Sequence, residues 1–193
     1  MTRDEILQAA AQIFRRKGYH AASMQDIADA VQLQKASLYH HIESKQDILL
    51  ALLDRAMDLL IEDMERIVET DQPPVAKLRR AMRTYARRMA EQGDLAAVLL
   101  LEYRNLEPEL RAKHVDRRDR FEGLWRGILQ QGSEGGEFRP VDPAVAGFAV
   151  LGVQNWMITW YRPNGPLGPE ELADQFADLL IDGLRVPMGG DDR

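Results

Sequence analysis

The chain of 193 residues contains no cysteine. That excludes disulfides and thiolate metal centres and fits a reducing compartment such as the cytoplasm. Long apolar runs are missing as well. The longest, AVAGFAVLGV at 144–153, is far short of the roughly 20 residues that a membrane-spanning helix needs, so no membrane association is expected. The opening MTRDEILQAAAQIF carries acids and no apolar signal core, so no secretion signal is expected. Positive charge is in deficit, with a formal net charge of −6, which as a sum argues against a nucleic-acid partner. Its distribution matters more. Residues 1–45 hold Arg3, Arg15, Arg16, Lys17, Lys35 and Lys45 against Asp4, Glu5, Asp26, Asp29 and Glu43, a balance of +1, which leaves −7 for the remainder. Such a division is compatible with a DNA-binding head on an acidic body.

Chemistry-bearing motifs are equally scarce. No Ser-His-Asp order and no metal-ligand spacing can be assembled, and the glycines of GSEGGE (132–137) are not followed by the Gly-Lys-Ser/Thr of a phosphate loop. No catalytic residue, metal or cofactor is assigned. The adjacent His40 and His41 point about 100° apart on a helix, whereas helical zinc pairs use i, i+4 spacing.

What is present is helical periodicity. Glycine and proline, 14 and 9 in number, punctuate the chain sparsely, and hydrophobic residues make up 45% of it. Ile6, Leu7, Ala10, Ile13 and Phe14 form one stripe, and Gly18 after a basic run marks its end. Short helices are expected from about Met24 to Val31 and from Lys35 to His41. A long one then runs from just after Ser44 to about Thr70. Thr2/Glu5, Ser23/Asp26 and Ser44/Asp47 each match the [ST]-x-x-[DE] capping pattern. Further helices are expected at about 75–92, 94–104, 107–131, 143–161 and 169–185. The prediction is an all-α chain of about nine helices: a three-helix head (1–45), a helical-bundle body (46–186) and a disordered tail (187–193).

Two helices of about seven residues joined by a three-residue turn cannot stand alone and must pack on the first. In such a helix-turn-helix the second helix enters the DNA major groove. Lys35 then reaches guanine edges or phosphate, and the small Ala36 and Ser37 permit close approach. Tyr39 and His40 donate to phosphate, with Lys45 beside them at the positive end of the next helix. Ser23, Gln25 and Gln34 complete the expected DNA-contacting set. Leu38 and Ile42 face inward, and His41 is given a structural role.

The segment SMQDIADAVQLQKASLYHHIESKQDIL resembles the DNA-binding head of TetR-family transcriptional repressors. The resemblance covers about 45 residues and includes the Y-H-H-x-x-x-K run. It implies a homodimer on a near-palindromic double-stranded operator, released when a small molecule enters the body. The family usually places Gly at the position of Gln32, Ser at Gln34 and Phe at Ile42. At the first of these positions a Gly readily adopts positive φ, whereas Gln pays ~1 kcal/mol for it, so the turn is either strained or built differently.

The body's candidate effector residues are Tyr85, Arg88, Met89, Leu99, Tyr103, Arg104, Phe121, Trp125, Phe148, Asn155, Trp156 and Tyr161, an apolar lining with a few polar groups. The charged run 111–126 reads as a solvated face or as an anion-holding pocket mouth. The stretch GVQNWMITWYRPNGPLGPEELADQFADLLIDGL is similar to TetR-type repressors of fatty-acid, phenylacetate and sterol-ring degradation. Their effectors are acyl-CoA thioesters, which implies a tunnel for the acyl chain and basic residues, such as Arg87, Arg88 and the 111–126 arginines, for the CoA phosphates. A phosphate-free lipophile, or no effector at all, is the competing reading, with a lipid-binding module or enzyme as a remote third. The last two helices supply the dimer contact through Ala146, Gly147, Ala149, Gly152, Leu179, Leu180 and Leu184.

Overall fold

The computed structural model describes residues 1–185, so the tail expected at 187–193 lies outside the described residues. Among the described residues all regular structure is helical apart from one isolated antiparallel bridge between Phe138 and Arg185. The helices are α1 (Arg3–Lys17), α2 (Met24–Ala30), α3 (Lys35–Leu38), α4 (Lys45–Val68), α5 (Pro74–Glu91), α6 (Gly93–Ala97), α7 (Pro108–Glu134), α8 (Pro143–Asn155), α9 (Met157–Trp160) and α10 (Pro169–Leu184). A π-helical turn (Val98–Glu102) and a 3-10 turn (Tyr103–Asn105) continue α6. The helix expected at 94–104 is thus three short pieces, and the one expected at 143–161 breaks at Trp156 into α8 and α9.

The capping pattern works as anticipated at two of its three sites. Thr2 and Ser23 accept from the N–H of Glu5 and Asp26, whose carboxylates accept in return from the cap residues' N–H groups. At Ser44 the hydroxyl accepts from the Asp47 N–H at 3.1 Å and donates to the Asp47 carboxylate at 2.8 Å. The turn at GSEGGE is also explained. Gly136 sits at φ 74°, and a side chain at Gly132 would overlap the buried ring of Phe138.

The chain divides into two compact units, residues 1–59 with 92–118, and residues 60–91 with the segment from 119 onward. Helices α4 and α7 contribute residues to both. In the first unit α1 packs on α2 and on α6, and α2 on α3. Its core contains Ile6, Phe14, Ile27, Leu38, Ile48, Leu49, Leu52 and Leu53, all fully or almost fully buried. Ile6 and Phe14 belong to the stripe that the sequence predicts for α1, and Leu38 faces inward as expected. In the second unit α5 packs along α10 and also meets α8 and α9. An ion-pair ladder follows the first seam. Arg79 reaches Asp178 at 2.6 Å, Arg83 reaches Glu170 and Asp174 at 3.3 and 3.4 Å, and Arg87 reaches Glu170 at 3.2 Å. Four-residue steps on both antiparallel helices keep the opposite charges in register.

Candidate nucleic-acid interface and ligand core

The turn between α2 and α3 is a Schellman cap. The Leu33 N–H donates to the Ala28 carbonyl at 2.9 Å and the Gln32 N–H to the Asp29 carbonyl at 3.1 Å. This closure requires a left-handed residue after the cap, and Gln32 supplies it at φ 56°, the one non-glycine residue with positive φ among those described. The anticipated strain is therefore real, and it lies in the turn that aims α3.

Helix α3 is only four residues long, against the seven expected. The backbone nevertheless keeps turning, because the N–H groups of His41 and Ile42 both donate to the Leu38 carbonyl, at 3.0 and 3.1 Å. Leu38 and Ile42 are buried, which fixes the inward side. Gln34, Lys35, Ala36, Tyr39 and His40 are exposed and Ser37 half-buried, so the structure places these candidates on the outward side. Ser23 caps α2. Gln25 is exposed and donates to Asp29 at 2.7 Å. His41, assigned a structural role above, is exposed as well.

Lys45 departs most from expectation. Its ammonium donates to the carbonyls of Tyr19 and Ala22, at 2.9 and 2.8 Å, and lies 4.3 Å from the centre of the Tyr19 ring. Two of its three N–H bonds thus tie α4 to the loop between α1 and α2, leaving one for any phosphate. A second tie escaped the sequence reading. The Gln46 side chain donates to the Asn105 carbonyl at 2.9 Å and accepts from the Glu107 N–H at 3.1 Å, and Arg15 pairs with Asp94 at 2.9 Å. Both fasten the 92–107 segment to the head, and no local pattern announces them.

In the second unit four of the predicted effector residues meet. Tyr85, Phe121 and Trp125 form an aromatic cluster with ring centres 5.9–6.2 Å apart. The buried Tyr85 hydroxyl donates to the Asn155 side-chain oxygen at 2.5 Å. Burial pushes the Tyr85 phenol above its usual range, so it is a neutral donor at physiological pH. Met89 is buried one turn further along α5. Tyr161 is half-buried against the small Ala86–Met157–Ala173 cluster.

Other candidates are placed differently. Leu99, Tyr103 and Arg104 belong to the first unit, where the Arg104 guanidinium donates to the Tyr103 hydroxyl at 3.2 Å. Phe148 and Trp156 do not line the interior: 60% and 66% of their surface is exposed. They fall on the outer side of α8, while Val150, Leu151 and Gln154 take the inner one. Arg88 is not free for an anionic ligand, because its guanidinium grips Asp63 through two bonds of 2.8 and 2.9 Å. Arg87 is engaged in the ladder. Of the 111–126 arginines, Arg117 pairs with Asp58 and Asp54 at 3.0 and 3.4 Å, Arg120 with Glu65, and Arg126 with Glu122 at 2.9 Å. The buried His114 faces Asp54 at 3.2 Å. Arg117, Arg120 and His114 thus face carboxylates of α4, pairings that sequence spacing within α7 could not reveal. Arg111 differs in donating to two neutral carbonyls, those of Arg104 and Leu106.

No group of three or more potential metal ligands exists among the described residues, and no described helix is long and apolar enough to cross a membrane.

Comparison with known proteins agrees with this architecture. Residues 6–52 match the profile of bacterial regulatory proteins of the tetR family, and residues 71–184 that of the tetracyclin repressor-like C-terminal domain. The fold is shared with the TetR family transcriptional regulator PfmR from Thermus thermophilus, at 44% identity over 94% of this chain and 99% of that one, with a TM-score of 0.86. AibR, solved in complex with isovaleryl coenzyme A and operator DNA, is 34% identical over 93% of this chain and 97% of its own, also with a TM-score of 0.86. The transcriptional repressor KstR2 of Mycolicibacterium smegmatis is 28% identical over 97% of this chain and 92% of its own length. An outward-facing short helix on a capped helix-turn-helix, joined to an all-helical body and matched over both parts, leads to one conclusion: this chain belongs to the TetR family and is a helix-turn-helix transcriptional regulator, not an enzyme.

Proposed function

We propose that the protein is a ligand-responsive repressor. It binds a near-palindromic operator as a homodimer and leaves it when an acyl-CoA, or a closely similar acyl ligand, enters the body. The observation that most supports an operator and an acyl-CoA as the two partners is the 34% identity, over nearly all of both chains, to AibR, whose structure holds both operator DNA and an acyl-CoA; release is the step that the titration below tests. The Tyr85–Phe121–Trp125 cluster with its Asn155 partner is the kind of apolar surface with few polar groups that would receive an acyl chain.

In this reading Lys35, Ala36, Ser37, Tyr39 and His40 face the major groove, with Gln34 and Ser23 at its edge and Gln25 near phosphate. Lys45 acts first as a strut and offers its remaining N–H to phosphate. The partner surface is the outer side of α8, where exposed Val145, Phe148, Ala149, Gly152 and Trp156 recur every three or four residues, together with Leu179 on α10. It differs in register from the sequence expectation, because Ala146 and Gly147 are buried within the protomer and Leu184 is nearly so. A self-complementary face of this kind suits a two-fold dimer. The effector acts through α4, which at 24 residues is about 36 Å long and carries residues of both units. Coupling of about 1–3 kcal/mol is the usual scale.

The test is a gel shift on DNA flanking the protein's own gene, followed by titration with acyl-CoAs from butyryl to palmitoyl and with the matching free acids. Release by some acyl-CoA, with weaker response to its free acid, is expected. Binding that no acyl-CoA relieves would remove the effector assignment and leave the DNA-binding assignment standing.

A further inference from the structure

The aromatic cluster contains a polar atom with nothing to bond. The Trp125 side chain is completely buried, and its indole N–H has no hydrogen-bond acceptor. An indole nitrogen only donates, so the group cannot be satisfied by reversing its role. Buried donors without partners are uncommon in folded proteins, because the desolvation cost is not returned, and each calls for a reason such as a ligand. A second orphan lies on the adjoining helix. Gln154, also fully buried, uses its amide nitrogen on the Val150 carbonyl at 3.3 Å, and its side-chain oxygen has no donor. Helix α8 packs against α7 close by, where Gly147 approaches Arg126 and Leu129.

The Trp125 ring stands nearly perpendicular to those of Tyr85 and Phe121, and the Tyr85 hydroxyl gives its proton to Asn155. The indole therefore sits among apolar rings with one fixed donor, which is how a site selects a ligand carrying an acceptor oxygen over a hydrocarbon of equal size. A buried donor left empty by the wrong ligand penalises that ligand strongly.

We propose that the Trp125 N–H donates to an acceptor oxygen on the acyl part of the bound effector, the thioester carbonyl being the group of the right chemistry. Trp125 is then the residue that distinguishes an acyl thioester from an alkyl chain. This rests on the acyl-CoA reading above. It makes Trp125 a specificity residue, and it predicts that removing the N–H weakens binding of carbonyl ligands alone.

The experiment uses the full-length protein and calorimetric titration with the tightest-binding saturated acyl-CoA and with the S-alkyl-CoA thioether of the same chain length, which has no carbonyl. Trp125→Phe keeps an aromatic ring and removes the donor. Incorporation of benzothienylalanine at position 125 replaces the N–H by sulfur at nearly constant shape and covers the case in which the phenylalanine variant packs poorly. Both are expected to lower acyl-CoA affinity about tenfold, the value of one hydrogen bond, and to leave thioether affinity within about twofold. Infrared spectroscopy of carbonyl-labelled acyl-CoA should show the thioester band shifted to lower frequency in the wild type and not in the benzothienylalanine protein. Equal loss for both ligands, or no loss for either, together with an unshifted wild-type band, overturns the role of Trp125 while leaving the effector class intact. Failure of the wild type to bind any acyl-CoA overturns both.

Discussion

Gln32 and Asp26 show how single side chains set the head. Gln32 holds a left-handed conformation that its Cβ disfavours, and the Schellman bonds around it leave the backbone no alternative. Gln32→Gly is expected to raise stability by up to ~1 kcal/mol, read as a rise of about 2–4 °C in the melting temperature. Asp26 closes the cap of α2 while accepting from Lys17 at 2.6 Å. The Lys17 hydrogen bond, followed by those from the Ser23 side chain and backbone, holds its carboxyl well below the usual carboxylate range. A depressed folded-state value means stability that is present above the ordinary carboxylate pKa and lost as the pH falls through it towards the lower value. Asp26→Asn should therefore lower the melting temperature at neutral pH and flatten its decline in acid, so that wild type and variant converge at the lowest pH.

Helices α3, α4 and α5 differ in what holds them. Four residues cannot form a helix unaided, so α3 depends on Leu38 and Ile42 reaching the core and on the cap at Gln32. Its exposed side is free to read DNA. Lys35→Ala should weaken operator binding and reduce the slope of log affinity against log salt by about 0.9, measured by fluorescence anisotropy across a salt series. Lys45→Met should act differently. With two carbonyls losing their donor, it should lower the thermal stability of the protein more than Lys35→Ala does, a contrast that one pair of melting curves resolves. On α5, Arg88 neutralises Asp63, which is 9% exposed. Arg88→Met leaves that carboxylate, among the described residues, with the more distant Arg66 at 3.8 Å. A cost of about 3 kcal/mol in urea unfolding is expected, and the double variant with Asp63→Leu should recover most of it.

For the complete protein the decisive surface is the one that a single chain leaves bare. Phe148 and Trp156 at more than half exposure would be an aggregation liability in a monomer. In the proposed dimer they are covered. Phe148→Glu should place like charges across the two-fold axis, giving a monomer by light scattering at micromolar concentration and losing high-affinity operator binding, while the melting curve stays cooperative. A dimer that survives this change would move the interface elsewhere. Because one recognition helix comes from each protomer, loss of the dimer should cost operator affinity even though every DNA-facing side chain is intact.

Much of this is legible in the linear sequence. The starts of α1, α2 and α4 follow from their capping patterns, which depend on a spacing of three residues that a sequence displays directly. The left-handed Gln32 is suggested in the sequence only by the Gly that the family usually places there, and the cap bonds of the folded chain fix it. Pairings between distant segments are not legible. Asp63 with Arg88, Gln46 with the 105–107 backbone and Lys45 with Tyr19 and Ala22 join positions 23 to 61 residues apart, and nothing local encodes them. They remove Arg88 from the effector set and turn Lys45 into a strut. The rotation of α8 is likewise invisible, because a helix apolar nearly all round gives no stripe from which to tell inside from outside. Packing against α5, α7 and α10 settles it, sending Gln154 inward and Phe148 and Trp156 outward. The chain's local chemistry was enough to specify an all-helical regulator with a DNA-reading head, whereas charge neutralisation and helix rotation, which depend on neighbours far along the chain, were fixed only when it folded.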